Sequence, residues 1–183
     1  SSGNFRPSVP DEDGESGSGE FRFYRKSVQS LHPDWIADHE PHGIFHLAAK
    51  ARIAPSFHPP FDVYHANVSG TLAVLEAART ARCRVVFAGS STCDSDPHLN
   101  PYAHSKFLAE ELCQSYCRLF GVPVGIARFY NVYGPRQAAN MALGIWARQI
   151  KQGEPLTVTG DGTQSRDFTH VQDIVDGLLL LSS

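Results

Sequence analysis

Gly43-Ile44-Phe45-His46-Leu47-Ala48-Ala49 is the stretch on which the fold turns. It is a short apolar run without polar alternation, and a strand of that composition is covered on both faces. Residues 84–88, with Val85, Val86 and Phe87, and residues 122–129, with Val122, Val124 and Ile126, repeat the pattern. Helical segments separate these runs. Residues 63–80 place Leu72, Leu75 and Ala78 on one side, and residues 102–120 end at Gly121, a C-terminal stop. Further out, 34–39, 141–152 (stopped by Gly153) and 173–181 read as helices. Residues 21–28 read as a strand anchored by Phe21, Phe23 and Val28. Apolar strands alternating with helices predict an α/β protein with a parallel sheet covered on both faces. Residues 1–20 are a loop by composition, rich in Pro, Gly, Ser and acids and without apolar periodicity.

Composition excludes several classes. The chain of 183 residues carries a formal charge of −3, which offers no basic field to nucleic acid or an anionic membrane. No apolar run approaches the ~20 residues of a spanning helix. Cys83, Cys93, Cys113 and Cys117 are too scattered for a disulfide framework, and no His or Cys pair completes a metal set with them. Reduced thiols and a cytoplasmic location are expected, with no metal.

Ligands of a parallel sheet sit beyond the carboxyl ends of its strands. Polar or Gly-rich clusters follow each buried run: His46 to Lys50, Gly89-Ser90-Ser91-Thr92, and Asn131-Val132-Tyr133-Gly134-Pro135-Arg136. Tyr102 and Lys106 lie four apart on a predicted helix and share a face. A free tyrosine, with a pKa of about 10, is a poor base at neutral pH, and a nearby ammonium favours its phenolate. Ser90 can exchange hydrogen bonds with the same substrate hydroxyl. Alone, Tyr102 and Lys106 would be an ordinary solvated pair; beside the Ser90 cluster they read as a proton-transfer group. His46 reads as a core histidine. Phe129 and Tyr130 either pack on a ligand or belong to the core. Asn67 either caps a helix or meets a ligand.

The ordered motifs resemble the sugar-nucleotide epimerase/dehydratase branch of the extended short-chain dehydrogenases. They are Phe45-His46-Leu47-Ala48-Ala49, Asn67-Val68-Ser69-Gly70-Thr71, Ser90-Ser91, Tyr102-Ala103-His104-Ser105-Lys106, Arg128 through Arg136, Gly160-Asp161-Gly162 and Ser165-Arg166-Asp167-Phe168. The resemblance implies a Rossmann-type doubly wound sheet over residues 21–133, lacking its first βαβ unit. Residues 134–183 would then hold the start of a smaller substrate region and a returning Rossmann segment. It implies NAD rather than NADP as cofactor, held by Leu47, Ala48, Ala49, Asn67, Tyr102, Lys106 and Phe129. The substrate implied is a nucleotide-diphosphate sugar, contacted by Ser91, Asn131, Arg136 and Arg166. Tyr102, Lys106 and Ser90 become catalytic: the C4 hydroxyl is oxidised, the keto-sugar turns over, and hydride returns to the other face. A guanidinium suits diphosphate oxygens, although Arg166 can instead pair with Asp161, Asp167 or Asp173. A homodimer through 63–80 and 102–120 is implied.

The alternatives are a dehydratase, decarboxylase or reductase of the same family, and a truncated, non-catalytic paralogue. Gly14, Gly17 and Gly19 follow no strand and form no phosphate cradle. The chain as it stands is therefore expected to bind NAD weakly. Asp94-Ser95 replaces the family's Tyr-Gly, and the stretch before Tyr102 is short. The residues after Ser90 are Ser91, Thr92 and Cys93, none of them an acid, which favours epimerisation over reactions needing a second proton transfer.

Overall fold

The computed structural model describes residues 22–183. Its helices are α1 (Pro33–Ala37), α2 (Pro60–Tyr64), α3 (Gly70–Ala81), α4 (Pro101–Phe120), α5 (Ala142–Gln152) and α6 (Val171–Ser182). Its strands are β1 (Gly43–His46), β2 (Arg84–Ser90), β3 (Val124–Phe129), β4 (Asn131–Tyr133) and β5 (Phe168–His170). The apolar runs become what their composition predicts, a parallel sheet in the order β1-β2-β3. Beyond β3, β4 and β5 pair in parallel as a separate two-stranded sheet.

Alternation along β2 sorts the packing. Val85 and Phe87 face α3 and α4, forming a core with Val74, Leu75, Ala78, Ala109 and Cys113. Phe87, Leu75, Val85 and Val86 are essentially fully buried, and each contributes about 1.5–3 kcal/mol. On the other face Val86 stands opposite Gly125, where α6 lies: a Cβ on Gly125 would come within 2.6 Å of Leu181. Helices thus cover both faces.

Two expectations are corrected. From residue 22 on, the predicted strand over 21–28 reduces to an isolated bridge at Phe23, with a 3-10 turn at Val28–Ser30. Val28 instead wedges against the start of α3, its Cγ1 2.7 Å from where a Cβ on Gly70 would stand. Phe21 and the predicted loop 1–20 lie outside the described residues. The single helix predicted over 63–80 is interrupted by a π-helical turn, His65–Ser69. There the Thr71 hydroxyl donates to the Asn67 carbonyl at 2.6 Å, a side chain competing with the helix ladder.

Candidate active site

The N-terminus of α4 is fixed by its sequence. Asn100 is the N-cap, its side chain accepting from the Ala103 N–H at 2.8 Å, and Pro101 occupies the first turn without missing a bond. Tyr102 is thereby held in the first turn, at the carboxyl edge of the sheet. Its hydroxyl donates to Ser90 Oγ across 3.4 Å, long for such a bond. Ser90 ends β2 opposite Phe129, and also accepts from the Thr92 hydroxyl at 2.9 Å and the Thr92 N–H at 3.3 Å. The Thr92 N–H donates to Ser90 Oγ and two hydroxyls, of Thr92 and Tyr102, lie within reach of it, so the Ser90 hydroxyl is one member of a small hydroxyl cluster.

Lys106 is 4% exposed. Its ammonium donates to the Ala88 carbonyl at 2.5 Å and lies 4.3 Å from the centre of the Phe87 ring. It thus lies under the Ser90 strand, with no hydrogen bond to the Tyr102 hydroxyl. Burial pulls its pKa down from 10.5 to about 8.

Asn67 is the connector that sequence reasoning left undecided. It is 2% exposed and sits within the π-helical turn, not at a helix start. Its Oδ1 accepts from the Lys50 N–H at 2.8 Å, and its Nδ2 donates to the Lys50 carbonyl at 3.1 Å and to Ser105 Oγ at 2.9 Å. Ser105 in turn donates to the Tyr102 carbonyl at 2.8 Å. The segment after β1 is therefore tied to the turn of α4 that carries Tyr102. Leu47, Ala48 and Ala49 lie exposed along that segment, at the same sheet edge. His46, at the end of β1, is buried as expected of a core histidine and bonds Thr71 Oγ1 at 2.9 Å.

An ionic group that the sequence did not disclose flanks Ser90. Ser91–Asp94 forms one 3-10 turn, with Ser91 half-exposed. Asp94 Oδ1 accepts from Arg128 Nη1, and Asp94 Oδ2 accepts from the Tyr130 hydroxyl at 2.9 Å. Arg128 also donates Nε and Nη2 to the carboxylate of Glu110, a buried residue of α4. The two carboxylates push the Arg128 pKa upward. The alternation Arg128, Tyr130 on one side of the chain was the only available signal, and it became meaningful only once β3 and α4 were placed.

Beyond β3, residues of β4, β5 and α5 line an open-sided cavity of about 520 Å³. Asn131, Gln137, Trp146, Gln164, Arg166 and Phe168 are among its lining residues. Pairing of Asn131 with Phe168 brings Asn131 and Arg166 together although they are distant in sequence. Arg166 donates to its neighbour's carbonyl at 2.7 Å, and among the described residues it forms no ion pair with Asp161, Asp167 or Asp173. Trp146 and Gln149 of α5 fasten the cavity wall by bonds to Thr157. Arg136 is exposed in the turn after β4 at φ 67 and is not among the cavity-lining residues. Among the described residues no cluster of His, Cys, Asp and Glu is arranged to hold a metal, and no helix is long and apolar enough to cross a membrane.

Comparison with known proteins identifies the family. The model of the NAD dependent epimerase/dehydratase family matches residues 27–183. YtcB of Bacillus subtilis (strain 168), an uncharacterized UDP-glucose epimerase, is 39% identical over 148 residues, 74% of this chain and 47% of YtcB. The UDP-glucuronate 4-epimerase of Thermodesulfobacterium geofontis (strain OPF15) is 30% identical, over 88% of this chain and 55% of the relative. The crystal structure of UDP-glucuronic acid 4-epimerase from Bacillus cereus, in complex with UDP-glucuronic acid and NAD, superposes with a TM-score of 0.80 at 28% identity, covering 88% of this chain and 55% of that one. The chain spans about half the length of the curated relatives it matches. On the family match, which takes in both sheets and every residue of the Ser90–Tyr102–Lys106 group, the chain belongs to the NAD dependent epimerase/dehydratase family.

Proposed function

We propose that the protein epimerises a nucleotide-linked sugar at C4, with NAD as its cofactor. The observation that carries this reading is the meeting of Tyr102 and Ser90 at the carboxyl edge of the parallel sheet; Asn131 and Arg166 line a cavity that none of Ser90, Tyr102 and Lys106 lines. The residues fit the nicotinamide end of the cofactor. Leu47, Ala48 and Ala49 offer an exposed edge of small or apolar side chains, and the Lys106 ammonium lies beneath Ser90. Bound there, NAD would supply the hydride acceptor and donor.

The chain's own residues do the rest. A sugar hydroxyl entering between Tyr102 and Ser90 would replace their long 3.4 Å contact, accepting from the Ser90 hydroxyl and passing its own proton to a deprotonated Tyr102 oxygen. Lys106, charged below about pH 8, places a positive charge under the strand that ends in Ser90. Arg166 and Asn131 would hold the diphosphate in the cavity and set the reach of the sugar toward Ser90. Leu47, Ala48, Ala49 and Phe129 would contact the cofactor and Ser91 the sugar. Asn67 acts through Lys50 and Ser105, positioning the groups that touch the ligand. Arg136 would reach the substrate only from the rim.

Epimerisation is favoured over dehydration because Asp94, the nearest acid after Ser90, has both oxygens engaged by Arg128 and Tyr130. A reducing cytoplasm and a homodimer through α3 and α4 complete the proposal. They are supported by the free thiols of Cys83 and Cys113 and by the exposed Leu72, Leu119 and Phe120. The test supplies UDP-glucose, UDP-N-acetylglucosamine, UDP-glucuronate and dTDP-glucose to the full-length protein in D2O and follows products by NMR. A C4-inverted sugar without solvent deuterium on carbon is expected. A 4-keto-6-deoxy product, deuterium at C5, or released carbon dioxide rejects the reading.

A further inference from the structure

Tyr102 and Ser90 belong to different elements, and the contact between their oxygens is long, 3.4 Å. The separation of the two oxygens is therefore set by whatever holds those elements together. We propose that Arg128 is a positioning residue for the reaction, strapping the turn that begins at Ser90 to the helix that carries Tyr102. The inference rests on the reading of Tyr102 and Ser90 as the pair that meets the reacting sugar hydroxyl.

The strap can be followed bond by bond. Ser90 is the N-cap of the 3-10 turn Ser91–Asp94, and its Oγ accepts from the Thr92 N–H at 3.3 Å, so the Ser90 side chain follows the turn. Asp94 closes that turn, accepting from Arg128 Nη1 through Oδ1 and from the Tyr130 hydroxyl through Oδ2. The same guanidinium donates Nε, at 3.1 Å, and Nη2 to the two carboxylate oxygens of Glu110 on α4. Tyr102, Lys106 and Glu110 follow one another at four-residue steps along α4, so Glu110 stands about 12 Å down the helix from Tyr102 on broadly the same side. The circuit closes where the Tyr102 hydroxyl meets Ser90.

The path of the Arg128 side chain depends on Gly89. The β2–β3 register sets Arg128 opposite Gly89, and a Cβ there would come within 3.3 Å of Arg128 Cγ and 3.2 Å of the Ala127 carbonyl oxygen. A side chain at 89 would crowd the stem that crosses β2 toward α4. A guanidinium suits the task, since its planar fork presents donors at fixed angles to two acceptors, which an ammonium cannot reproduce. Charges balance across the group, with Lys106 and Arg128 set against Glu110 and Asp94, so its role is one of geometry more than of net field. The two arms differ. The Glu110 side chain is 6% exposed and anchors the strap, whereas that of Asp94 is 38% exposed, so its ion pair adds little stability and chiefly fixes the turn.

The test compares Asp94→Ala and Arg128→Lys with the unaltered full-length protein. Lysine keeps a cation beside Glu110 but cannot span both carboxylates. Each variant is expected to lower kcat for C4 inversion of UDP-glucose at least about tenfold with KM within about twofold, the mark of a misplaced reacting group. Without cofactor or substrate, hydrogen exchange over residues 90–95 should quicken at least about threefold, while that over 43–46 stays unchanged, because the turn is released and the sheet is not. Asp94 is at an exposed position, so its variant keeps the test decisive if Arg128→Lys does not fold. More than half the rate retained, a KM that rises in step with the loss, or unchanged exchange over 90–95 overturns the proposal. If the unaltered protein forms NADH or another product but no C4 epimer, the same comparison on that product tests this inference and the proposed reaction is removed. Neither NADH nor any product from UDP-glucose, UDP-N-acetylglucosamine, UDP-glucuronate or dTDP-glucose overturns both.

Discussion

Acid should loosen this fold through His46. The Thr71 hydroxyl spends its proton on the Asn67 carbonyl at 2.6 Å, so at 2.9 Å it can only accept from His46 Nε2. This fixes the neutral ring with its proton on Nε2. Burial, and secondarily the charge of Lys106, lowers the His46 pKa from 6.5 to about 4. Between these values the unfolded chain binds more protons than the folded one, so stability falls as pH falls. The contribution is complete above pH 6.5. About 2 kcal/mol of it is lost at pH 5, and about 3 kcal/mol once pH passes below 4. The assay is urea unfolding followed by circular dichroism at pH 7, 6, 5.5 and 5, with His46→Gln alongside. Glutamine keeps an N–H donor toward Thr71 but does not titrate. Subtracting the two curves removes the carboxylates and leaves a difference of about 2 kcal/mol in pH sensitivity between pH 7 and 5. Parallel curves would refute the argument.

Further expectations concern the site. Arg166→Ala should weaken UDP-sugar binding about tenfold by calorimetry, through loss of a charge-assisted contact to the diphosphate. Asn67→Ala should cost about 2 kcal/mol in urea unfolding, because the Lys50 and Ser105 groups lose buried partners. Lys106→Met should remove activity and yet raise stability at pH 7 by about 1–3 kcal/mol, because a charge is no longer buried. The unaltered protein, whose Lys106 pKa is lower folded than unfolded, should gain stability as pH rises from about 8 to 10.5. The variant should lack that rise.

Much of the sheet was legible because burial on two faces leaves an unmistakable composition. Residues 43–49, 84–88 and 122–129 are apolar runs; the first and third contain β1 and β3, and the second is the start of β2, which runs on to Ser90. The strand expected over 21–28 is only an isolated bridge from residue 22 on, and Val28, whose apolar character suggested it, packs against Gly70 instead. The π-helical turn was hidden as well. It coincides with a local bond from the Thr71 hydroxyl to the Asn67 carbonyl and with bonds of the Asn67 side chain to Lys50 and Ser105 that only the tertiary fold supplies. Within the site, Ser90, Tyr102 and Lys106 could be named from motif and spacing. The direction of the Lys106 ammonium, toward Ala88, could not, since it depends on how α4 lies across β2. In the sequence Arg128 is a residue of the third strand, Tyr130 a ligand-packing or core aromatic, and Asp94 the nearest acid after Ser90. Their network joins β3, α4 and the turn after β2, a long-range arrangement that no local pattern encodes.

The central claim is that Tyr102 moves the proton of the reacting sugar hydroxyl. It is tested most directly by the steady-state rate of C4 inversion of UDP-glucose in the full-length protein, compared with Tyr102→Phe. Phenylalanine keeps the ring and removes only the oxygen that meets Ser90. A fall in kcat of at least about 1,000-fold is expected with KM within about threefold, the signature of an interaction made only in the transition state. A variant that keeps more than about a tenth of the rate would contradict it.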